Sequence, residues 1–251
     1  MGGLRIHVLG PLRVVRADGS VVEPHEWRTA KTMDLVRILA LADGQPTSVT
    51  TLVERLWPDV PYDRARVSLR TAASQARRTI GVPCVRRHHD GLALEDAWVD
   101  VREFRRACRA VRSAWETGDA DRALAAAEVA QDLWRGSFVA SDQDSGWATS
   151  EREALDTERR RMLCEAAECA ESVARYDLAV ELARHALVMD ASAERAYRTI
   201  MRAHAALGEV GTALLVFERC RHYLTENLGA TPSPQTRMLH LQLLRHGAAE
   251  S

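Results

Sequence analysis

Residues 62–81, YDRARVSLRTAASQARRTIG, and residues 84–94, CVRRHHDGLAL, decide how this chain is read. The first stretch has helical spacing and ends at Gly81-Val-Pro83. The second is a strand, a tight turn at His89-Asp-Gly91 and a returning strand. At about 3.6 residues per turn, Tyr62, Ala65, Leu69, Ala72, Ala73, Ala76 and Ile80 fall on one stripe, the face expected to bury. The opposite side carries Arg64, Val67, Thr71, Ser74, Gln75 and Arg78, with Arg70 and Arg77 on the flank and Arg66 near the buried edge. From Asp63 to Asp90, seven arginines stand against two aspartates. Positive charge offered jointly by a helix and a hairpin suits a grooved polyanion, and double-stranded DNA is the first such partner. The arginines would neutralise phosphates or fork onto guanine edges, while Thr71, Ser74 and Gln75 can reach base atoms. A solvated arginine-rich helix face is the plainer alternative.

The segments upstream place that pair in a larger pattern. LRIHVLGPLRVV (residues 4–15) reads as two short strands broken at Gly10-Pro11. Asp18-Gly19 is a turn from which Val21-Val22 can return as a third strand. A helix is expected from about Thr29 to Ala42, stopped by Gly44-Gln-Pro46, and a second from about Thr50 to Trp57, stopped by Pro58. Three helices followed by a hairpin make the winged variant of helix-turn-helix. A sheet placed before them narrows this to the OmpR-type arrangement. Arg86, Arg87, His88 and His89 then sit on the wing, within reach of the DNA backbone or a minor groove. No Cys or Asp cluster accompanies the two histidines, so a metal is not expected there.

After Trp98 the chain turns helical and alanine-rich. A shift of 34 residues sets Gly208 against Ala174, and brings Tyr197 onto Leu163, Ile200 onto Ala166, Ala213 onto Ala179, Phe217 onto Ala183 and Cys220 onto Ala186. Gly118, Ala123 and Ala130 repeat the same internal offsets. That period and those small residues describe tetratricopeptide-like helix pairs. Their concave face would receive protein or peptide; alternatively the pairs brace the front half or form a dimer contact. Between the first two copies, RGSFVASDQDSGWATSERE reads as an ordered connection pinned by Phe138 and a buried Trp147. The expected fold is therefore mainly α with a small β component. Residues 1–100 would form the winged-helix DNA-binding domain and 101–251 the all-α repeat domain.

Composition narrows the class further. With 34 basic and 35 acidic side chains, this is no generally basic DNA coat. Residues 1–100 hold 14 basic and 12 acidic groups, so the positive charge is local to the front half. Arginine supplies all basic residues except Lys31, which reads as codon bias in a GC-rich genome. Five cysteines without a C-x-x-C pair fit small buried thiols in a reduced compartment. Neither a leader nor a run of membrane-spanning length is present, so a cytoplasmic, nucleoid-associated protein without a membrane partner is expected. There is no phosphate-binding loop, no G-x-G-x-x-G and no H-E-x-x-H, so neither catalysis nor a cofactor is expected.

Several short motifs occur together in order: Leu9-Gly10-Pro11-Leu12, Leu56-Trp57-Pro58-Asp59, Ala65 to Arg78, and Val99-Asp100-Val101 with Phe104. They continue with Arg135-Gly136, Trp147 with Glu151-Arg152, and Glu226-Asn-Leu-Gly229 followed by Pro232-Ser-Pro234. On these residues the chain resembles the SARP family, the Streptomyces antibiotic regulatory proteins, in which a bacterial transcriptional activator domain follows an OmpR-like winged helix. The resemblance implies a pathway-specific activator of secondary metabolism. Such an activator would bind direct repeats near the −35 region as a homodimer and recruit RNA polymerase through its sigma factor. Ending after the repeats, the chain looks like a short, stand-alone member. Ala73 and Ala76 depart from the larger apolar residues more usual in relatives. The competing readings are a tetratricopeptide adaptor and a repressor of the same fold.

Overall fold

The computed structural model describes residues 3–81, 83–139 and 146–249. They form two compact units: Met1–Arg106 with Ala130–Leu155, and Ala107–Val129 with Asp156–Ser251. No described helix is long and apolar enough to cross a membrane.

In the first unit, β1 (Leu4–His7) pairs antiparallel with β2 (Arg13–Val15). It also pairs in parallel with β6 (Ala97–Val99), Ile6 facing both Val14 and Val99. Val21 meets Val15 only in an isolated bridge, so the expected third strand of the leading hairpin is replaced by β6. Three helices follow: α1 (Ala30–Leu41), α2 (Val49–Leu56) and α3 (Tyr62–Ile80). Thr29 caps α1 by accepting the N–H of Thr32, and Ser48 caps α2 by accepting that of Thr51. Gly81 ends α3 in the left-handed conformation (φ 85°) that glycine adopts at low cost. The second sheet orders β3 (Thr47–Ser48), β5 (Gly91–Leu94) and β4 (Val85–His88), with β4 and β5 forming the hairpin.

Leu35, Leu39, Leu52, Leu56, Leu69, Ile80 and Leu94 are buried between these elements. Each large aliphatic side chain so removed from water contributes roughly 1.5–3 kcal/mol. Ala65, Ala72, Ala73 and Ala76 are buried on the inner face of α3, where short side chains let α1 and α2 approach. Tyr62, the first residue of α3, does not join them: it is 46% exposed.

Asp100, fully buried at the start of α4 (Asp100–Thr117), is the polar hub of this unit. Its carboxylate accepts the N–H of Val8 at 2.9 and 3.0 Å, of Leu9 at 3.1 Å and of Val101 at 2.7 Å. Arg135 stands 3.5 Å away. A Cβ on Gly10, which lies at φ 101°, would come within 3.5 Å of the Arg135 backbone. Thus Leu9-Gly10, Asp100 and Arg135-Gly136, distant in sequence, form one structural joint. Phe138 is buried and meets Trp147 edge-on at 5.9 Å. Trp147 itself is only half-buried, not buried as expected. Residues 140–145 of that connection, like Val82 after α3, lie outside the described residues.

The repeat offsets hold in atomic detail. Helices α4 and α5 (Ala120–Leu133), α6 (Gly146–Ser172) and α7 (Tyr176–Met189), and α8 (Glu194–Ala206) and α9 (Val210–Leu228) are joined by turns centred on Gly118, Ala174 and Gly208. All three residues have positive φ: 72°, 59° and 78°. Each turn closes alike, with Asp119, Arg175 and Glu209 donating to the carbonyls of Ala114, Ala170 and His204. Ala123, Ala179 and Ala213, five residues on, are fully buried, as are Ala130, Ala186 and Cys220. The helical part is tetratricopeptide-like and ends with α10 (Pro234–Ala249). Within the second unit, Arg195 forks onto Glu168 at 2.6 Å and Arg202 onto Glu171 at 2.6 and 2.8 Å, linking α8 to α6.

Candidate nucleic-acid interface

The outer face of α3 is presented to solvent between the core and the hairpin. Arg64, Arg70, Thr71, Ser74 and Arg78 are exposed; Gln75, Arg66 and Arg77 are half-buried. Neither Arg64, Arg70 nor Arg78 has a carboxylate partner among the described residues. Val67, 60% exposed, stands among them as a small apolar group of the kind that meets a thymine methyl. Thr71 donates its hydroxyl to the Val67 carbonyl at 3.2 Å. The amide oxygen of Gln75 accepts from Thr32 at 2.9 Å, which leaves the amide nitrogen as the group it offers outward. Gln75 therefore serves the α1–α3 contact as well as the exposed face.

Two contacts fix the far end of α3. Arg16 donates to the Thr79 carbonyl at 2.7 and 3.1 Å and is ion-paired with Glu26. Arg77 donates Nε–H to the Val85 carbonyl at 2.6 Å, tying helix to hairpin.

On the hairpin, the strand register separates two residues that sequence placed side by side. Arg87 lies opposite Leu92 and joins Arg66, Arg70 and Arg77 around a groove of about 210 Å³ between α3 and the strands. Arg86 lies opposite Ala93, on the other face. Its guanidinium pairs with Glu95 at 3.2 Å and Asp96 at 2.5 Å, and His88 Nε2 meets Glu95 at 2.5 Å. Glu95 and Asp96 lie just beyond the hairpin and outside the Asp63–Asp90 window in which the arginines were counted, so the local excess is smaller than seven against two. Among the described residues no three metal-ligating side chains gather, at His88-His89 or elsewhere.

Arg28 and Lys31, which the sequence reading did not single out, border the same face of α3. Arg28 lines a shallow groove with Gln75 and Arg78, and Lys31 another with Thr71 and Gln75. Their only local signal was two basic residues within two positions of Thr29, the expected start of the first helix.

The model of the bacterial transcriptional activator domain matches residues 99–244. The regulatory protein DnrI of Streptomyces peucetius is 30% identical, over 95% of this chain and 90% of its own length. This chain belongs to the SARP family. Its family likeness extends to the regulatory protein AfsR of Streptomyces griseus, 28% identical over 96% of this chain, which spans 24% of AfsR. The transcriptional regulator RedD of Streptomyces coelicolor is 25% identical over 97% of this chain and 71% of its own length. Among solved structures, EmbR of Mycobacterium tuberculosis, in complex with a low affinity phosphopeptide, shares the fold. Its TM-score is 0.84 at 22% identity, covering 97% of this chain and 65% of EmbR. The fold is thus a SARP-type winged helix followed by tetratricopeptide-like helices. The family is one of transcriptional regulators and not of enzymes. Its motif residues Asp100, Gly10 and Arg135 act here as the structural joint described above. Ala73 and Ala76 are both buried in the core.

Proposed function

We propose that this SARP-family regulator is a sequence-specific, duplex-DNA-binding transcriptional activator, with α3 as the helix that enters the major groove. One observation carries the reading: Arg64, Arg70 and Arg78 surround an exposed centre of Val67, Thr71 and Ser74, with no carboxylate among the described residues neutralising them. Guanidinium groups so placed reach phosphates or fork onto guanine, and the smaller groups between them read base edges. Arg66 and Arg77 add charge at the flank, and Gln75 offers its amide nitrogen. Arg87 approaches the backbone from the wing. Arg86 and His88 do so after exchanging Glu95 and Asp96 for phosphate oxygens. Arg28 and Lys31 extend the contact along the backbone from α1.

On this reading the DNA carries direct repeats near the −35 region. Two copies of the chain occupy neighbouring repeats, and together they recruit RNA polymerase through its sigma factor. The protein acts in the cytoplasm, on the nucleoid. Substituting Arg70 and Arg78 by alanine tests the assignment. Removal of a base-reading arginine costs about 1–3 kcal/mol and relaxes sequence preference, whereas removal of a phosphate-binding one weakens all duplexes alike. Unchanged affinity for the cognate promoter refutes it.

A further inference from the structure

The groove between α3 and the hairpin holds more than a DNA backbone requires. Arg66, Arg70, Arg77 and Arg87 line it, and no acidic side chain does. The rest of its wall is apolar, from Leu69, Ala73 and Leu92 together with Val49. Arg77 is held by its bond to Val85, so its terminal nitrogens are set in place, and Arg66 lies over the Tyr62 ring at 5.9 Å. Four like charges converging on one cleft raise the local positive potential and favour an anion. A phosphate gains nothing from the carbon-lined floor, whereas a hydrocarbon body does. At about 210 Å³ the space lies below the ~300–1,000 Å³ typical of drug-sized ligands, so the fitting molecule is small.

We infer that this groove is a binding site for a small amphipathic anion, an aromatic carboxylate, whose charge meets Arg70 and Arg87 and whose ring rests on Leu69, Ala73 and Leu92. Binding of the anion stands independently of the DNA reading. Its regulatory consequence rests on that reading: a ligand there occupies guanidinium groups that would otherwise face the duplex, so anion and DNA exclude each other.

Fluorine NMR of 4-(trifluoromethyl)benzoate added to the full chain tests this. Inorganic phosphate serves as the charge-only control and 4-(trifluoromethyl)benzyl alcohol as the ring-only control. The benzoate is expected to bind at least tenfold more tightly than either. The expected loss is tenfold or more in the surface double variant Arg70→Gln/Arg87→Gln, and again in Ala73→Leu, which fills the floor. Folding of each variant is checked by circular dichroism, and the surface pair keeps the test intact if Ala73→Leu unfolds. Affinity unchanged in the surface pair overturns the site, and so does phosphate binding as tightly as the benzoate. Release of the benzoate by duplex DNA is expected. If the chain binds both and duplex DNA does not displace the benzoate, the mutual exclusion is overturned. Failure to bind DNA at all, with benzoate bound, overturns the DNA reading and leaves the site standing.

Discussion

Arg77 on α3 donates its Nε–H to the backbone carbonyl of Val85 on β4, 2.6 Å away. One hydrogen bond therefore joins the helix proposed to read DNA to the hairpin proposed to grip it. Hydrogen bonds from charged donors contribute about 1.5–3 kcal/mol. Arg77→Ala is expected to lower stability by roughly 1–2 kcal/mol, less than the full bond because water can replace the donor. Hydrogen exchange across Val85–Leu94 should quicken while that in α1 stays slow. Equal protection of the hairpin in both proteins would show that the bond does not hold it.

Glu95 and Asp96 pair with Arg86 and His88, so on the proposed reading their carboxylates would compete with DNA for those side chains. Because these pairs are substantially exposed, they contribute little to stability. The double variant Glu95→Gln/Asp96→Asn should therefore melt within a few degrees of the wild type. Its affinity for duplex DNA should rise several-fold, with the salt slope steeper by about one. No gain in affinity would mean that the wing's outer face does not approach the backbone.

His7 provides a pH dependence. Burial lowers its pKa from 6.5 to about 4, with Arg135, Arg5 and Arg13 adding repulsion. Asp100, 3.7 Å away, offers only partial compensation. The folded protein thus binds a proton at His7 less readily than the unfolded chain does. The neutral ring costs nothing above pH 6.5, and stability is lost as pH falls from there toward 4. By pH 5 the loss should be on the order of 1 kcal/mol, once solvent screening of the half-buried ring is allowed for. Asp100 contributes with opposite sign, since burial raises its carboxyl, so the His7 share is read from the difference between wild type and His7→Leu, compared at pH 7 and pH 5. Urea unfolding at those two values should show the drop in the wild type and a smaller one in His7→Leu.

Ala174 and Gly208 occupy equivalent turns at φ 59° and 78°. A non-glycine residue in the left-handed region carries roughly 1–2 kcal/mol of strain. Gly208→Ala should lower stability by about 1 kcal/mol, and Ala174→Gly should raise it by somewhat less, because added glycine also loosens the unfolded chain. Thermal melts of the two variants should therefore shift in opposite directions.

How legible this was in the sequence depended on the range of each interaction. The three helices and the hairpin were readable because local signals carry them: the stripe from Ala65 to Ile80, and the stops at Gly44-Gln-Pro46, Pro58 and Gly81-Val-Pro83. The repeat was readable because Gly118, Ala174 and Gly208 each precede a buried small residue by the same five positions. Strand β6 was not, since three residues acquire their pairing from a partner more than 90 positions away. Tyr62 was misplaced because a helical wheel fixes direction and says nothing of where the core stops along the axis. Arg86 and Arg87 were grouped as one clamp, although the two-residue period of a strand sends neighbours to opposite faces. Gln75 was assigned to bases alone because its bond to Thr32 spans 43 residues and leaves no local trace.

The most direct test of the account is binding to duplex promoter DNA across a salt titration, comparing wild type with Arg64→Gln/Arg70→Gln/Arg78→Gln. These three side chains are exposed and have no carboxylate partner among the described residues, so the variant should fold as the wild type does. The account predicts a steep salt dependence in the wild type and a loss of affinity in the variant of tenfold or more, with a slope shallower by up to about three. The same affinity and the same slope in both proteins would contradict it.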